Sequence, residues 1–553
     1  MHRSKQLRNL APTIGRSLHA SRGRAAPVIS IGAVLMLALA QTAIAAKPAT
    51  PTGKVVSASD SPSTFTGCTT GATSSPSYNY RNSEVEPFIS ANPTNSSNLI
   101  GVWQQDRWSN GGAHGLTAGS SNDGGKTWSD VALPFDACAA PSDPTVNIYN
   151  RASDPWVSFG PDGRAYAVSI SVNVNSNDNG VFATTSADGG TTWSSAKVIK
   201  TDAGTSSAIF EVTQFFNDKE SVTADPTHAG TAYAVWDRLV SPSSSFEADL
   251  RSHDFHGPTW FSKTSDGGQT WQTKQIFDPG NKNQTIGNVV VVDPTTGALY
   301  DFFNLILSTG PSSPRGFNVA FLKSTDGGDT WSGPTIVDKL LSVPVRDPNN
   351  IDPRTNNPPA PSRTSDFNPE VAVDPATGHL YAVWEDGRFS GGGHDDIVLT
   401  TSADGGARWS AAKRVNAPNG QFAFTPNVAV ASDGTVGVSY YQWQPTSAGS
   451  EPADYWIRRA SPPTIVSDNA DSLDATAATH VSGPFNTLDA PFAGGYFLGD
   501  YEGLTSVGTS FSPIFVATTC TDLSCRALSS VTAPANRAPT GNNSTDVFVG
   551  RGF

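Results

Sequence analysis

The chain has 553 residues, 37% of them hydrophobic and only 15% charged, with 51 Gly, 40 Pro and 13 Trp. Its formal net charge is −13. That balance excludes nucleic acid as a partner, since phosphate binding needs a basic surface. The apolar content excludes disorder for most of the length. Many turn formers and many aromatics favour β-hairpins over helices.

In chain order, residues 1–26 carry Arg and Lys and no acid, and residues 27–40 form an apolar run. The run is too short to cross a membrane comfortably. Ala43-Ile44-Ala45 is a small-x-small cleavage site. Residues 1–45 are therefore read as a signal peptide, with a mature chain from Ala46 that is secreted or periplasmic and has no membrane span. Residues 46–78, rich in Ser, Thr and Pro, are expected to be a flexible leader. The four cysteines allow three pairings. Cys520 and Cys525 frame a short loop and are the preferred pair, which leaves Cys68 with Cys138.

Residues 79–553 are expected to form one all-β domain built from repeats. The motif S/T-x-D-G-G-x-T-W appears at 121–128, 186–193, 264–271 and 324–331. A fifth copy at 402–409 has Arg408 in place of the Thr. The five Asp lie 60 to 78 residues apart. D-G-G supplies the positive-φ residues of a tight turn, and the Asp carboxylate accepts turn N–H groups. Those aspartates are read as turn formers, not catalysts. A second pattern precedes most copies: a strand, a D-P turn, and a strand ending in an aromatic, as in 222–236 and 371–384. Each unit then has four antiparallel strands, and radial repetition makes a β-propeller. Units start near 84, 154, 220, 288, 368, 425 and 500, which favours seven blades; six result if one late unit is not separate.

In a propeller, loops before first strands and after second strands share one face. Those positions carry Arg81, Glu84 and Glu86; Asp154; Asp218, Lys219 and Glu220; Asp366 and Glu370; and Asp500, Tyr501 and Glu502. Asp106, Arg107, Asp237, Arg238, Asp386 and Arg388 follow second strands. Convergent acids and arginines suit general acid–base work on an anionic substrate.

The repeated D-G-G-x-T-W turns resemble the Asp boxes of the sialidase (neuraminidase) superfamily, from about Arg81 to the C-terminus. The resemblance implies a retaining glycosidase that cleaves a terminal acidic sugar from a glycan. By position, Tyr501 is similar to the family's nucleophile, Glu370 to its base, and Asp106 to the acid, with His114 a weaker candidate. Arg81 and Arg388 are similar to carboxylate-binding arginines, with Arg107 or Arg238 as the third. The family's R-I-P motif is missing around Arg81, and the loop 108–116 holds no Asp.

No cofactor is required on this reading. An alternative gives Asp218, Glu220, Asp500 and Glu502 to a two-carboxylate glycosidase pair acting on another polysaccharide, or to Ca²⁺. A further alternative is a non-catalytic propeller that binds glycans or proteins, with Trp103, Trp108, Trp236, Trp384 and Trp443 stacking on sugar rings. No oligomerisation signal is visible, so a monomer is expected.

Overall fold

The computed structural model describes residues 53–59, 62–72, 77–176, 178–203, 215–240, 256–308, 316–345, 362–444, 451–462, 478–519 and 545–553. The signal-peptide reading and the Cys520–Cys525 pair lie outside the described residues. No described helix is long and apolar enough to cross a membrane.

Among the described residues, seven sets of four antiparallel strands follow one another in sequence. Unit one is Asn79–Ala91, Leu99–Trp108, Ala113–Ser121 and Ser129–Ala132. Unit two is Arg151–Phe159, Ala165–Val172, Asn179–Ser186 and Lys197–Asp202. These two are joined through the single pair Ala113–Ala152. Units three to six open with Phe215–Ala224, Gln284–Val292, Glu370–Val373 and Ala423–Val430. Unit seven consists of Gly503–Val507, Ser510–Thr518, Thr545–Arg551 and Lys54–Ser57.

That last strand corrects the expectation of a flexible leader. Lys54–Ser57 pairs with Thr545–Arg551 along its whole length, from Lys54–Arg551 to Ser57–Phe548. Both ends of the described chain therefore complete one sheet. Nearby, Ser63 and Phe65 are buried, and Cys68 is bonded to Cys138 as expected. The bridge closes a loop of 70 residues. Reducing it is expected to cost about 4 kcal/mol of stability through denatured-state entropy. Urea unfolding with and without reductant checks this; coincident curves would contradict it.

The first strands of all seven units border one central space of about 250 Å³, through Phe88, Trp156, Val222, Val289, Val371, Val428 and Leu504 among others. Apolar residues at alternate positions put one face of each sheet against its neighbour. Trp103, Trp236, Trp384 and Trp443 are at most 1% exposed. They are packing residues, which removes them as sugar-stacking platforms.

The repeated motif forms the turn between third and fourth strands. In the first copy, Ser121 Oγ donates to Asp123 and accepts from Gly125 N, both at 2.9 Å. Asp123 also accepts from Thr127 N and Thr127 Oγ1, at 3.0 and 2.8 Å. In the fifth copy, Arg408 Nε donates to Asp404 at 2.8 Å where the Thr hydroxyl stands elsewhere. The D-P turns work alike: Asp225 and Asp293 each accept from the backbone N–H two residues on, at 2.8 Å.

Candidate functional site

The chemistry gathers where the first strands are irregular. Register shifts interrupt the pairing at Val85/Phe88, Ser153/Trp156, Asp218/Ser221, Ile286/Val289 and Phe424/Asn427. At the same places Glu86, Asp154, Lys219, Gly287 and Thr425 have φ of 54°, 54°, 54°, 71° and 48°. A bulge frees one N–H from the ladder, so Pro87, Pro155 and Pro426 fit just after it. Holding a residue other than Gly in the left-handed region costs about 1–3 kcal/mol. The bulges aim Glu86, Asp154 and Lys219, from three successive units, at one place.

There Lys219 Nζ meets Asp500 at 2.5 Å, Asp154 at 3.3 Å and Glu86 at 3.8 Å. Arg363 grips Asp500 with Nε at 3.2 Å and Nη2 at 2.6 Å. A two-residue parallel pairing of Ser362–Arg363 with Tyr496–Phe497 holds Arg363 there. The Phe497 ring carries the guanidiniums of Arg363 and Arg107, at 4.3 and 4.8 Å from its centroid. Arg107 donates to Gln104, and Gln104 in turn to Glu86.

Above this network lies a cleft of about 250 Å³. Arg107, Arg151, Arg363, Lys219, Asp154 and Asp218 line it, with Ile170, Val172 and Phe216 as an apolar wall. Arg151 donates to the carbonyls of Gly71 and Gly111 and to Asn110 Oδ1, and its guanidinium lies 4.5 Å from the Trp108 ring centroid. Arg107 and Arg151 make no ion pair among the described residues. Burial and then the charge of Arg107 bring the Arg151 guanidinium down to about 9. Burial lowers Arg107 as well, against the pull of Glu86, and Arg363 adds to the lowering. Two buried guanidiniums, neither in an ion pair among the described residues, thus line one cleft.

The acids divide into two kinds. Burial, aided by Asp154 and Asp500, raises the Asp218 carboxyl to about 6 against the pull of Lys219. Burial and Asp154 push Glu86 up to about 8. Asp500 is the opposite case: against its burial, Arg363 and Lys219 hold it well below the usual carboxylate range. Asp218 is half-buried in the cleft wall.

Of the residues singled out in the sequence, Arg107, Asp154, Asp218 and Lys219 line the cleft, while Tyr501, Glu370, Asp106, Arg81, Arg388 and Arg238 do not. Asp106 accepts from Asn82 N at 2.8 Å, Ser63 Oγ at 2.9 Å and His114 Nδ1 at 3.3 Å. Against burial, these donors keep it below its ordinary value, the wrong direction for a proton donor. Arg81 is exposed. Arg388 is held by Asp386, Asp338 and the Lys339 carbonyl. Arg238 is spent on Asp202 and packs 3.7 Å from the Phe215 centroid. Tyr501 and Glu370 both line a separate small space of about 20 Å³, which shares Lys219 with the cleft. Tyr501 Oη donates to the Pro155 carbonyl at 3.0 Å. Burial, then the charges of Glu86 and Asp154, raise its phenol well above the ordinary value and keep it protonated.

The four acids proposed for Ca²⁺ do not gather on one ion. Asp500 is matched by Lys219 and Arg363, and Glu502 accepts from Tyr441 Oη at 2.6 Å. No group of three His, Cys, Asp or Glu among the described residues is arranged to hold a metal.

Sequence reading missed Arg151 and Arg363, though a signal exists. R-N-S-E (81–84), R-A-S-D (151–154) and R-T-S-D (363–366) are one pattern, R-x-S-acid, within the first strands of units one and two and ahead of that of unit five.

No protein-family model and no curated protein sequence matches the chain. Among solved structures, it is similar to an α-L-arabinofuranosidase of Fusarium graminearum, with 14% identity, 69% of this chain and 94% of that one covered, and a TM-score of 0.43. A protein of unknown function from Dyadobacter fermentans has 14% identity over 87% and 98% of the two chains, with a TM-score of 0.41. The sialidase of Trypanosoma rangeli has 12% identity over 66% and 53%, with a TM-score of 0.35.

Proposed function

We propose that the protein is an exported, seven-bladed β-propeller that hydrolyses the glycosidic bond of an acidic sugar in the cleft between units one, two and three. One observation carries this reading: Arg107, Arg151 and Arg363 line a single cleft with Asp154 and Asp218. An anionic group on the substrate is held by Arg107 and Arg151, which have no carboxylate of their own. Arg363 fixes the network below. Asp218 protonates the leaving oxygen, and Asp154, steadied by Lys219, is the carboxylate partner that stabilises or attacks the anomeric carbon. The apolar wall of Ile170, Val172 and Phe216 keeps the ring face dry.

The test is a panel of fluorogenic glycosides, α-sialoside and uronides against neutral pentosides and hexosides. Turnover of acidic members only is expected. Arg107→Ala is expected to raise KM at least tenfold by removing a charge-assisted contact worth about 1.5–3 kcal/mol. Turnover of neutral members alone would refute the acidic-sugar reading.

A second reading follows from the shared cavity of Tyr501 and Glu370: sialidase-type attack by Tyr501 with Glu370 as base. Tyr501→Phe separates the two. Loss of turnover favours the second reading, and retained turnover favours Asp154 and Asp218.

A further inference from the structure

The small space that shares Lys219 with the cleft has an unusual lining. It is bounded by Glu220, Glu370, Asn288, Asn368, Gly287 and Tyr501 among others, and its volume of about 20 Å³ holds one water-sized body. Both carboxylate oxygens of Glu220 are buried without a hydrogen-bond partner. The same holds for Asn288 Oδ1 and Asn368 Oδ1. The orientation of Asn288 is fixed from its other end, where Nδ2 donates to Asp301 at 2.9 and 3.1 Å. Glu370, 6% exposed, has burial as the one influence on its carboxyl. Gly287, at φ +71°, makes room: a Cβ there would stand 2.3 Å from Asn368 Oδ1.

Four buried oxygen acceptors without a partner, on Glu220, Asn288 and Asn368, thus belong to residues lining one small space with Glu370. A buried acceptor left unpaired costs about 1–3 kcal/mol, and one water brings only two protons. What satisfies four such oxygens at once is a cation, and oxygen donors select a hard one. Lys219 borders the same space, but its ammonium is turned to Asp500 and Asp154. Two carboxylates match a divalent charge. Magnesium prefers to keep several of its waters, and the space admits none beside the ion; calcium takes six to eight flexible oxygen ligands.

We propose that Glu220, Glu370, Asn288 and Asn368 hold one calcium ion in this small space. The ion ties the first strands of units three, four and five, and it makes Glu370 a ligand instead of a base for Tyr501. This proposal does not rest on the hydrolase reading, since its readout is metal binding.

The experiment uses the mature full-length protein, prepared without chelator and dialysed against metal-free buffer. Elemental analysis is expected to find one calcium per chain. Chelator treatment should lower the Tm, and added Ca²⁺ should restore it, as for any ligand that binds only the folded state. Terbium added to the stripped protein should show luminescence sensitised by Trp156 and Tyr501. Glu220→Gln and Glu370→Gln are each expected to weaken calcium binding by at least about tenfold, because ligand charge sets affinity. If Glu220→Gln fails to fold, Glu370→Gln alone decides. Stripped protein that takes up neither calcium nor terbium overturns the proposal. So does calcium uptake that both variants leave unchanged.

Discussion

A Lys219→Met variant is expected to lose about 3–5 kcal/mol of folding stability, the usual result of removing one partner from a buried ion network. The Lys219 side chain is 7% exposed and lies within 4 Å of carboxylates of Glu86, Asp154 and Asp500. These come from the first strands of units one and two and from the segment leading into unit seven. Without the ammonium, carboxylates that are dry and close to one another lose their common counter-charge. The loss falls on contacts between units, so the m-value is expected to drop with the midpoint as unfolding loses cooperativity.

The pH dependence has a definite sign. Asp500 is held below its unfolded value, so its contribution is present above about pH 4 and disappears as the pH falls further. Glu86, raised to about 8, contributes stability that is present below its unfolded value near 4.5 and lost as the pH rises through 8. The gap between wild type and Lys219→Met should therefore narrow from pH 8 to pH 5. Urea titrations at the two values measure it. A gap under about 1 kcal/mol at pH 7 would show that the network is not buried as described.

Asp218→Asn is expected to lower kcat by about 10²–10⁴-fold, the range that a positioned general acid contributes. The amide is isosteric and Asp218 is only half-buried, so the Tm should hold and KM should change little. The acid works in its protonated form. The wild-type rate should fall as the pH rises through about 6, the value at which burial, Asp154 and Asp500 hold the carboxyl. That limb should vanish in the variant. A variant with more than half of the wild-type kcat would remove Asp218 from the chemistry.

Much of the fold was legible because the repeat is local. The D-G-G turn needs its glycines and its Asp whatever surrounds it, and each of the seven expected unit starts lies in or just before a first strand. The fourth strand of unit seven was not legible. Lys54–Ser57 is four residues in a Ser- and Thr-rich stretch, and its partner lies about 490 residues away. The site was legible as a face and not as a set of residues. Arg107, Asp154, Asp218 and Lys219 were on the expected face, but the bulges that aim three of the charges depend on φ values that no side-chain pattern states. Arg388 and Arg238 looked suitable by position, yet each is held by a carboxylate: Asp386, two residues before Arg388, and Asp202, which packing brings to Arg238. Arg363 reaches the cleft from the segment before unit five through a short parallel pairing of Ser362–Arg363 with Tyr496–Phe497, about 130 residues further along the sequence.

The most direct test compares an aryl glycoside of an acidic sugar with the same sugar reduced at its carboxyl group to a primary alcohol. If Arg107 and Arg151 hold the anion at the catalytic centre, kcat/KM should favour the acid by about 100-fold or more, two charge-assisted hydrogen bonds at about 1.5–3 kcal/mol each. Arg107→Ala should remove most of that preference. Equal rates on the two sugars, or a preference untouched by Arg107→Ala, would contradict the assignment of this cleft.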